Sequence, residues 1–269
     1  FVDWNNLTKL TFKGSGTLTA SGTTISSTSG YSNCGIAAGE LVLDKTFSGT
    51  INANGGNSSA SNAMASIGIY AKSITINNGT INAIGGTASN SYASSSGIFM
   101  GAPATITING GTVNAQGGTG GNRGKSVGLW MYGQYDGDTG TLVAGKNTSL
   151  SALGTNAGQS YGITFENSSG GSINIASSAN VTCYSTNTTV GDSMSDATSC
   201  GMRLDNNTLT SNGSLTAYTL GTSTSFTSTD ISAVPGSDWV QERYFTNFAD
   251  ILIFILAITE IQFIIMKKK

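Results

Sequence analysis

One short phrase recurs along the chain, and its spacing limits the folds that the chain can adopt. It reads SITINNGTINAIGG from Ser73 to Gly86 and TITINGGTVNAQGG from Thr105 to Gly118. Its core, a small polar residue followed by an aliphatic one, can be aligned at intervals of 30 to 37 residues. Such a period is typical of proteins in which each repeat packs against its neighbours. The aligned polar positions are Thr17, Thr50, Thr80, Thr112, Ser149, Asn180 and Ser214.

A second element, a Gly followed by an aliphatic residue, alternates with the first throughout the repeats. Apolar residues recur at every second position around both elements, which is typical of strands rather than helices. Two positions after the Gly stand residues as different as Ala37 and Arg203, and we predict that this position faces outward while its neighbours face inward. The pairs are Gly35-Ile36, Gly68-Ile69, Gly97-Ile98, Gly128-Leu129, Gly162-Ile163 and Gly201-Met202.

Each repeat thus carries three short strands, three turns and no helical stretch, and no hairpin pattern joins one repeat to the next. This arrangement is typical of one coil of a parallel β-helix. We therefore predict an all-β repeat domain over residues 1–220, with about seven coils stacked at roughly 4.8 Å. Its core is predicted to contain Ile81, Ile98, Val113 and Leu129.

Three cysteines test the assignment of inward and outward positions. Cys183 falls in a column otherwise held by Ala, whereas Cys34 and Cys200 fall in the column just before the Gly. By parity all three are expected to point inward as small apolar residues. Five coils at the stacking distance separate Cys34 from Cys200 by roughly 24 Å, which is too far for a disulfide. A Cys183–Cys200 bridge is the alternative.

Composition narrows the classes of function. Charged residues make up 10% of the 269 residues, against roughly 25% in soluble domains, and a net charge of -2 gives no basic surface for nucleic acid. The chain contains no His, which removes the commonest general base and metal ligand. Because its acidic residues are few and scattered, whereas glycoside hydrolysis needs paired carboxylates, we favour a protein without catalytic activity.

The segment ITINGGTVNAQGG at 106–118, followed by VGLWM at 127–131, resembles the right-handed β-helix carbohydrate-binding domains of bacterial, largely Gram-positive, cell-surface proteins. The resemblance extends over residues 8–220. It implies a right-handed single-stranded parallel β-helix on a polysaccharide-lyase-like scaffold, an extracellular or cell-surface location and polysaccharide binding, in some members with calcium. The chain departs from that family because it lacks dense clusters of Asp.

A column of three aromatic residues is the clearest candidate site. Tyr70, Phe99 and Trp130 occupy the same outward position on three consecutive coils. At about 4.8 Å per coil they are predicted to form an exposed strip that suits the apolar faces of sugar rings. The alternatives are cross-strand packing that stabilises the sheet and cover by a loop.

The segment after Trp130 extends this candidate site. It reads YGQYDGDTG from Tyr132 to Gly140 and offers further sugar ligands. Two of its residues are also the candidate calcium ligands, Asp136 and Asp138, although calcium takes roughly six to eight oxygens. The alternative is a turn that is rich in Asp and Gly. The additional candidate sugar ligands are Tyr132, Tyr135, Asp136 and Asp138.

The repeat fades after Leu220. Residues 221–250 are predicted to form a polar linker or cap, and residues 251–269 a helical hydrophobic tail with a basic end. The apolar run at 251–266 is shorter than the ~20 residues that span a bilayer, but the lysines that follow it are typical of the cytoplasmic end of a membrane segment. We expect membrane association through this tail, with a capping helix, a partner-binding segment and an out-of-frame end of a fragment as alternatives.

These observations support three functions of different classes. The first is an extracellular or cell-surface module that binds polysaccharide along the β-helix without catalysis. The second is a structural or adhesin-type spacer, and the third is a polysaccharide lyase or glycoside hydrolase. A glycan array separates the first two, and assays for cleaved products test the third.

Overall fold

The computed structural model describes residues 8–25, 33–59, 64–133, 138–166, 171–186, 199–204, 207–219 and 231–233. Within these ranges the chain forms strands and turns and no helix. In chain order the strands are β1 (Lys9–Phe12), β2 (Thr17–Ser21), β3 (Asn33–Leu43), β4 (Thr50–Asn54), β5 (Met64–Ile76), β6 (Thr80–Ile84), β7 (Ser94–Ile108), β8 (Gly111–Gln116), β9 (Lys125–Tyr132), β10 (Gly140–Ala144), β11 (Thr148–Gly154), β12 (Gln159–Glu166), β13 (Ser172–Ile175), β14 (Asn180–Ser185), β15 (Cys200–Leu204), β16 (Thr208–Ser211), β17 (Ser214–Thr219) and β18 (Ile231–Ala233).

The strands stack as a parallel β-solenoid of about five turns. One sheet has seven strands in the order β17-β14-β11-β8-β6-β4-β2, and the other has eleven. The larger sheet covers two faces of each coil, because β7 pairs with β9 through its first half and with β10 through its second half. Each coil therefore has three faces, and the predicted all-β parallel repeat fold is confirmed.

Residues that the repeat aligns lie directly above one another. Thr80 of β6 pairs with Thr50 on one side and with Thr112 on the other. Phe99 of β7 likewise pairs with Tyr70 and Trp130. The recurring phrase therefore places the same side chains at the same position of successive coils.

Aliphatic side chains from all three faces fill the interior. The four predicted core residues, Ile81, Ile98, Val113 and Leu129, are fully buried in it. Burial of a side chain of this size contributes roughly 1.5–3 kcal/mol. The same core contains Cys183, which stands in the Ala column as predicted.

Strand alternation breaks at each Gly-aliphatic pair. Ile98 lies in the core, and a Cβ added to Gly97 would lie less than 3.0 Å from backbone atoms of Ala83, Ala115 and Gln116, on the opposite side of the coil. Both residues of the pair thus face inward, and the coil is pinched there until the two backbones touch. Glycine is needed because no side chain fits in the pinch.

Because both residues of the pair face inward, the residue just before each Gly faces outward instead of inward. The prediction that Cys34 and Cys200 point inward is wrong, because it counts parity through the Gly as if the strand were regular. Cys200 is buried in a separate apolar cluster on the outer side of the eleven-stranded sheet, and Cys34 packs against that cluster. All three cysteines lie in the described ranges, and none forms a disulfide.

Candidate functional site

The eleven-stranded sheet is bent at the Gly-aliphatic pairs, so that its outer side is concave there. Lys125 pairs in register with Gln159, and Glu166 stands seven positions further along β12, or about 23 Å along a straight strand. The side chains of Lys125 and Glu166 nevertheless form an ion pair on the outer side. Lys125 and Glu166 can meet over that separation only if each strand bends so that its two ends approach each other across the outer face.

This bend overturns the predicted exposure of the aromatic column. Phe99 is only 7% exposed and Trp130 only 3%, while Tyr70 is half-buried. The prediction that outward aromatic residues at these positions are exposed is wrong, because outward side chains on a concave face converge and cover each other. Their shared column and their outward direction are confirmed.

The rings pack edge to face or tilted rather than as an open platform. Phe99 lies 5.7 Å from Tyr70 between ring centroids, 5.5 Å from Trp130 and 6.3 Å from Tyr132, and the contact with Trp130 is T-shaped. Trp130 also makes a T-shaped contact with Tyr132 at 6.3 Å. Such pairs contribute about 0.5–1.5 kcal/mol beyond burial. Of the predicted sugar-binding rings, Tyr70 and Tyr132 keep part of their surface accessible. The rest of Tyr70 is buried, and this burial raises the pKa of its hydroxyl.

Polar atoms without a hydrogen-bond partner surround Thr164, which stands beside Trp130 in the next coil. Within the described part of the chain, Trp130 Nε1, Thr164 Oγ1 and Glu166 Oε2 are buried and unpartnered. The Tyr161 hydroxyl is also buried, and it interacts with the Arg203 guanidinium, which lies 5.7 Å from the centre of the Tyr161 ring. Burial raises the pKa of Tyr161, and the positive charge of Arg203 offsets part of that rise.

Lys125 contacts two members of this group, Trp130 and Glu166. Its ammonium nitrogen lies 5.1 Å from the centre of the Trp130 ring, while it pairs with the Oε1 atom of Glu166. We call Lys125, Trp130, Tyr161, Thr164 and Glu166 the Thr164 patch. Sequence reasoning found only Trp130 among them. The pairing of Lys125 with Glu166 depends on the bend, which leaves no periodic signal in the sequence.

The other predicted ligands are not brought together. Tyr135 and Asp136 lie outside the described residues, and Asp138 is half-buried. Among the residues that the structure describes, no three His, Cys, Asp or Glu side chains are grouped closely enough to hold a metal ion. The hydrophobic tail at 251–269 also lies outside the described residues. Within the described ranges no helix is long and apolar enough to cross a membrane.

A second candidate site is the outer face of the seven-stranded sheet, which we call the polar face. None of its seven strands contains a charged residue. Their registers run residue for residue without a shift, unlike the pairing of β5 with β7, which shifts twice. Its two most regular columns are Thr17, Thr50, Thr80, Thr112, Ser149, Asn180 and Ser214, and Thr19, Asn52, Asn82, Asn114, Ser151, Thr182 and Thr216.

Hydrogen bonds between coils hold the amides of the second column in place. Asn114 Nδ2 donates to Asn82 Oδ1 at 2.8 Å, and Asn82 Nδ2 donates to Asn52 Oδ1 at 2.9 Å. Because an amide has two N–H donors and two acceptor lone pairs, each Asn in the middle of the ladder keeps hydrogen-bonding capacity that points to solvent. The polar face therefore presents a fixed array of hydroxyl and amide groups that repeats once per coil.

No protein-family model, curated protein or solved structure matches this chain.

Proposed function

We propose that this protein is a non-catalytic module that binds neutral polysaccharide along the surface of a right-handed β-helix of seven coils, outside the cell or at its surface. The polar face is the observation that supports the proposal. Its hydroxyl and amide groups recur on every strand of the seven-stranded sheet at the spacing of the coils, about 4.8 Å. A polymer of hydroxyl-bearing units can repeat the same contacts coil after coil.

The absence of charge on the polar face favours a neutral polymer. An anionic polysaccharide would lose hydration on this face without gaining a cation in return, and unpaired charges are costly to desolvate. Neutral hydroxyls instead exchange hydrogen bonds with water for similar bonds with Thr and Asn, each worth about 0.5–1.5 kcal/mol. Affinity then comes from the number of coils that a chain contacts, and no calcium is needed.

A stiff spacer is the second candidate function. The observation in its favour is the packing of Tyr70, Phe99 and Trp130 against one another, which strengthens the stack of coils without offering an open ring face. In a spacer the polar face would only keep the solenoid hydrated. Binding by the polar face separates the two functions.

The test removes hydroxyls from one face and compares the result with the other. Thr80→Val with Thr112→Val alters neighbouring coils on the polar face, and Thr75→Val with Thr107→Val makes the same change on the adjacent face of the same coils. All four residues are half-buried, and Val suits a strand as well as Thr does. Stability should therefore change equally in both variants.

Binding is measured by retardation in native gels that contain neutral glucans, mannans or xylans, after a glycan array has identified the polymer. We expect the polar-face variant to bind at least about fivefold more weakly, since two hydrogen bonds are lost, and the control to bind like the parent. Equal binding by the two variants contradicts the role of the polar face. No retention of the parent by any polysaccharide leaves the spacer as the function.

A further inference from the structure

We propose that the Thr164 patch is a second ligand site, separate from the polar face, that takes a small uncharged molecule bearing neighbouring hydroxyl groups, as a single sugar residue does. The proposal does not rest on polysaccharide binding by the polar face. It rests on buried polar atoms that the folded chain leaves without partners, and on the chemistry that those atoms require.

The unpartnered atoms are concentrated on two neighbouring strands. Trp130 of β9 and Thr164 of β12 are direct partners in register, and Glu166 lies two positions beyond Thr164 on the same side of β12. Folded proteins leave few buried polar groups unsatisfied, and each one costs about 1–3 kcal/mol. Three such atoms on residues that neighbour one another across β9 and β12 indicate that another molecule completes their hydrogen bonds.

The set of donors and acceptors defines that molecule. Trp130 Nε1 can only donate, ionised Glu166 Oε2 can only accept, and the hydroxyl of Thr164 can do both. Hydroxyl groups on adjacent carbons match this set, because each can accept from the indole and donate to the carboxylate. The charges of Lys125 and Glu166 already neutralise each other, and Arg203 is directed at the ring of Tyr161, so a charged ligand is not required.

The apolar walls of the patch suit the carbon skeleton of a sugar. Trp130 and Tyr132 meet edge to face, and Val127 pairs with Tyr161 at the other side of the bend. The ion pair of Lys125 with Glu166 lies over Trp130, and both of its side chains keep some solvent exposure, 20% and 13%. The accessible parts of these two side chains mark the outer side as the side from which a ligand would reach the patch.

Trp130 itself reports on occupation of the patch. The chain contains three Trp residues, and the variant Trp4→Phe with Trp239→Phe leaves Trp130 alone. Its emission is followed while glucose, galactose, xylose and glycerol are added separately, with galacturonate as the anionic comparison and purified neutral oligosaccharides as the source of chain ends. The ligand-induced rise in the unfolding temperature of the parent protein is measured in parallel.

We expect a saturable change in emission with at least one neutral sugar or oligosaccharide, and at least about fivefold weaker binding after Thr164→Val, because a ligand hydroxyl is then left unpaired in a buried site. This substitution keeps the shape of a side chain whose hydroxyl has no partner, so the fold should be unaffected. Thr107→Val on the adjacent face serves as the control. Because the polar face is unchanged, retardation of the Thr164→Val variant by a polysaccharide should match that of the parent.

Three results would overturn the proposal. If neither the emission nor the unfolding temperature changes with any probe, ordered water alone occupies the patch. If the response is the same in the parent and in Thr164→Val, the ligand binds elsewhere. If only galacturonate binds, the ligand is not an uncharged molecule.

Discussion

Lys125 and Glu166 lie at opposite ends of two neighbouring parallel strands, and their side chains form an ion pair across the outer face of the sheet. The pair exists because β9 and β12 bend at Gly128 and Gly162, where an added Cβ would lie 2.5 Å from a backbone nitrogen of Leu153 and Tyr184, respectively. One feature of the repeat, the Gly, thus produces both the pinched interior and the concave exterior.

Because this ion pair is largely buried, loss of one partner should be costly. Lys125→Met leaves the Glu166 carboxylate in a poorly hydrated position, and we expect the free energy of unfolding to fall by roughly 2–4 kcal/mol. Adding Glu166→Gln should recover part of that loss, which a double-mutant cycle by urea unfolding measures. The matched control is Lys9→Met, because Lys9 and Glu40 form an exposed pair at 2.8 Å and its loss should cost less than about 1 kcal/mol. Equal losses at the two sites would contradict the burial of the Lys125–Glu166 pair.

Truncation of core side chains should distinguish the interior from the polar face. Ile98→Ala removes a fully buried side chain and should lower the free energy of unfolding by about 2–5 kcal/mol. Ile84→Ala is the control, because Ile84 stands on the polar face with 40% of its surface exposed. We expect a change there of less than about 1 kcal/mol in chemical denaturation. A neutral Ile98→Ala would mean that the inward direction of its column is wrong.

The register of this fold could be read from the sequence, and the core with it. Ile81 and Val113 are partners because parallel coils must place like residues above like, and that requirement appears directly as a repeat. Their burial follows from alternation within a short regular strand. The predicted interior therefore agrees with the structure wherever alternation is unbroken.

The candidate site could be read only in part, because it forms where alternation breaks. The positions of Tyr70, Phe99 and Trp130 follow from the repeat, but their burial depends on the bend at Gly97 and Gly128. A period of two residues records which side of a strand a residue takes, and it carries no information on whether that side is convex or concave. For the same reason the sequence gives no indication that Lys125 meets Glu166.

The position of Cys34 beside the outer apolar cluster predicts how the stability of the protein depends on pH. Although part of the residue reaches solvent, burial of its thiol raises the pKa of Cys34 to about 12. The folded state therefore keeps the thiol proton while the unfolded state loses it above about pH 8.5. The stability that Cys34 contributes is complete below that pH and declines as the pH rises toward 12.

Alkylation of the thiol measures this shift. In a variant with Cys183→Ala and Cys200→Ser, Cys34 is the only thiol, and only its thiolate reacts. At pH 8 we expect alkylation of the folded protein to be slower than that of the urea-unfolded protein by about three orders of magnitude, since each pKa unit is about tenfold in thiolate. Comparable rates in the two states would show that Cys34 is not held in the apolar cluster.

The pinch itself supplies the last prediction. A Cβ at Gly97 would lie less than 3.0 Å from backbone atoms on the opposite side of the coil, whereas a Cβ at Gly101 in the same strand would meet only the Tyr70 hydroxyl, at 3.4 Å. Backbone cannot rotate out of the way as a side chain can, so Gly97→Ala must widen the coil. We expect it to lower the free energy of unfolding by about 1–3 kcal/mol or more, and Gly101→Ala to change it by less than about 1 kcal/mol.

Widening the coil should also open the concave outer face, because one bend forms both. If Gly97→Ala still folds, Phe99 and Trp130 should become more accessible, and the emission of Trp130 in the single-tryptophan background should shift to longer wavelength. Gly101→Ala should leave the emission unchanged. If Gly97→Ala is as stable as Gly101→Ala and leaves Trp130 equally buried, then the Gly does not cause the bend, and the burial of the aromatic column needs another explanation.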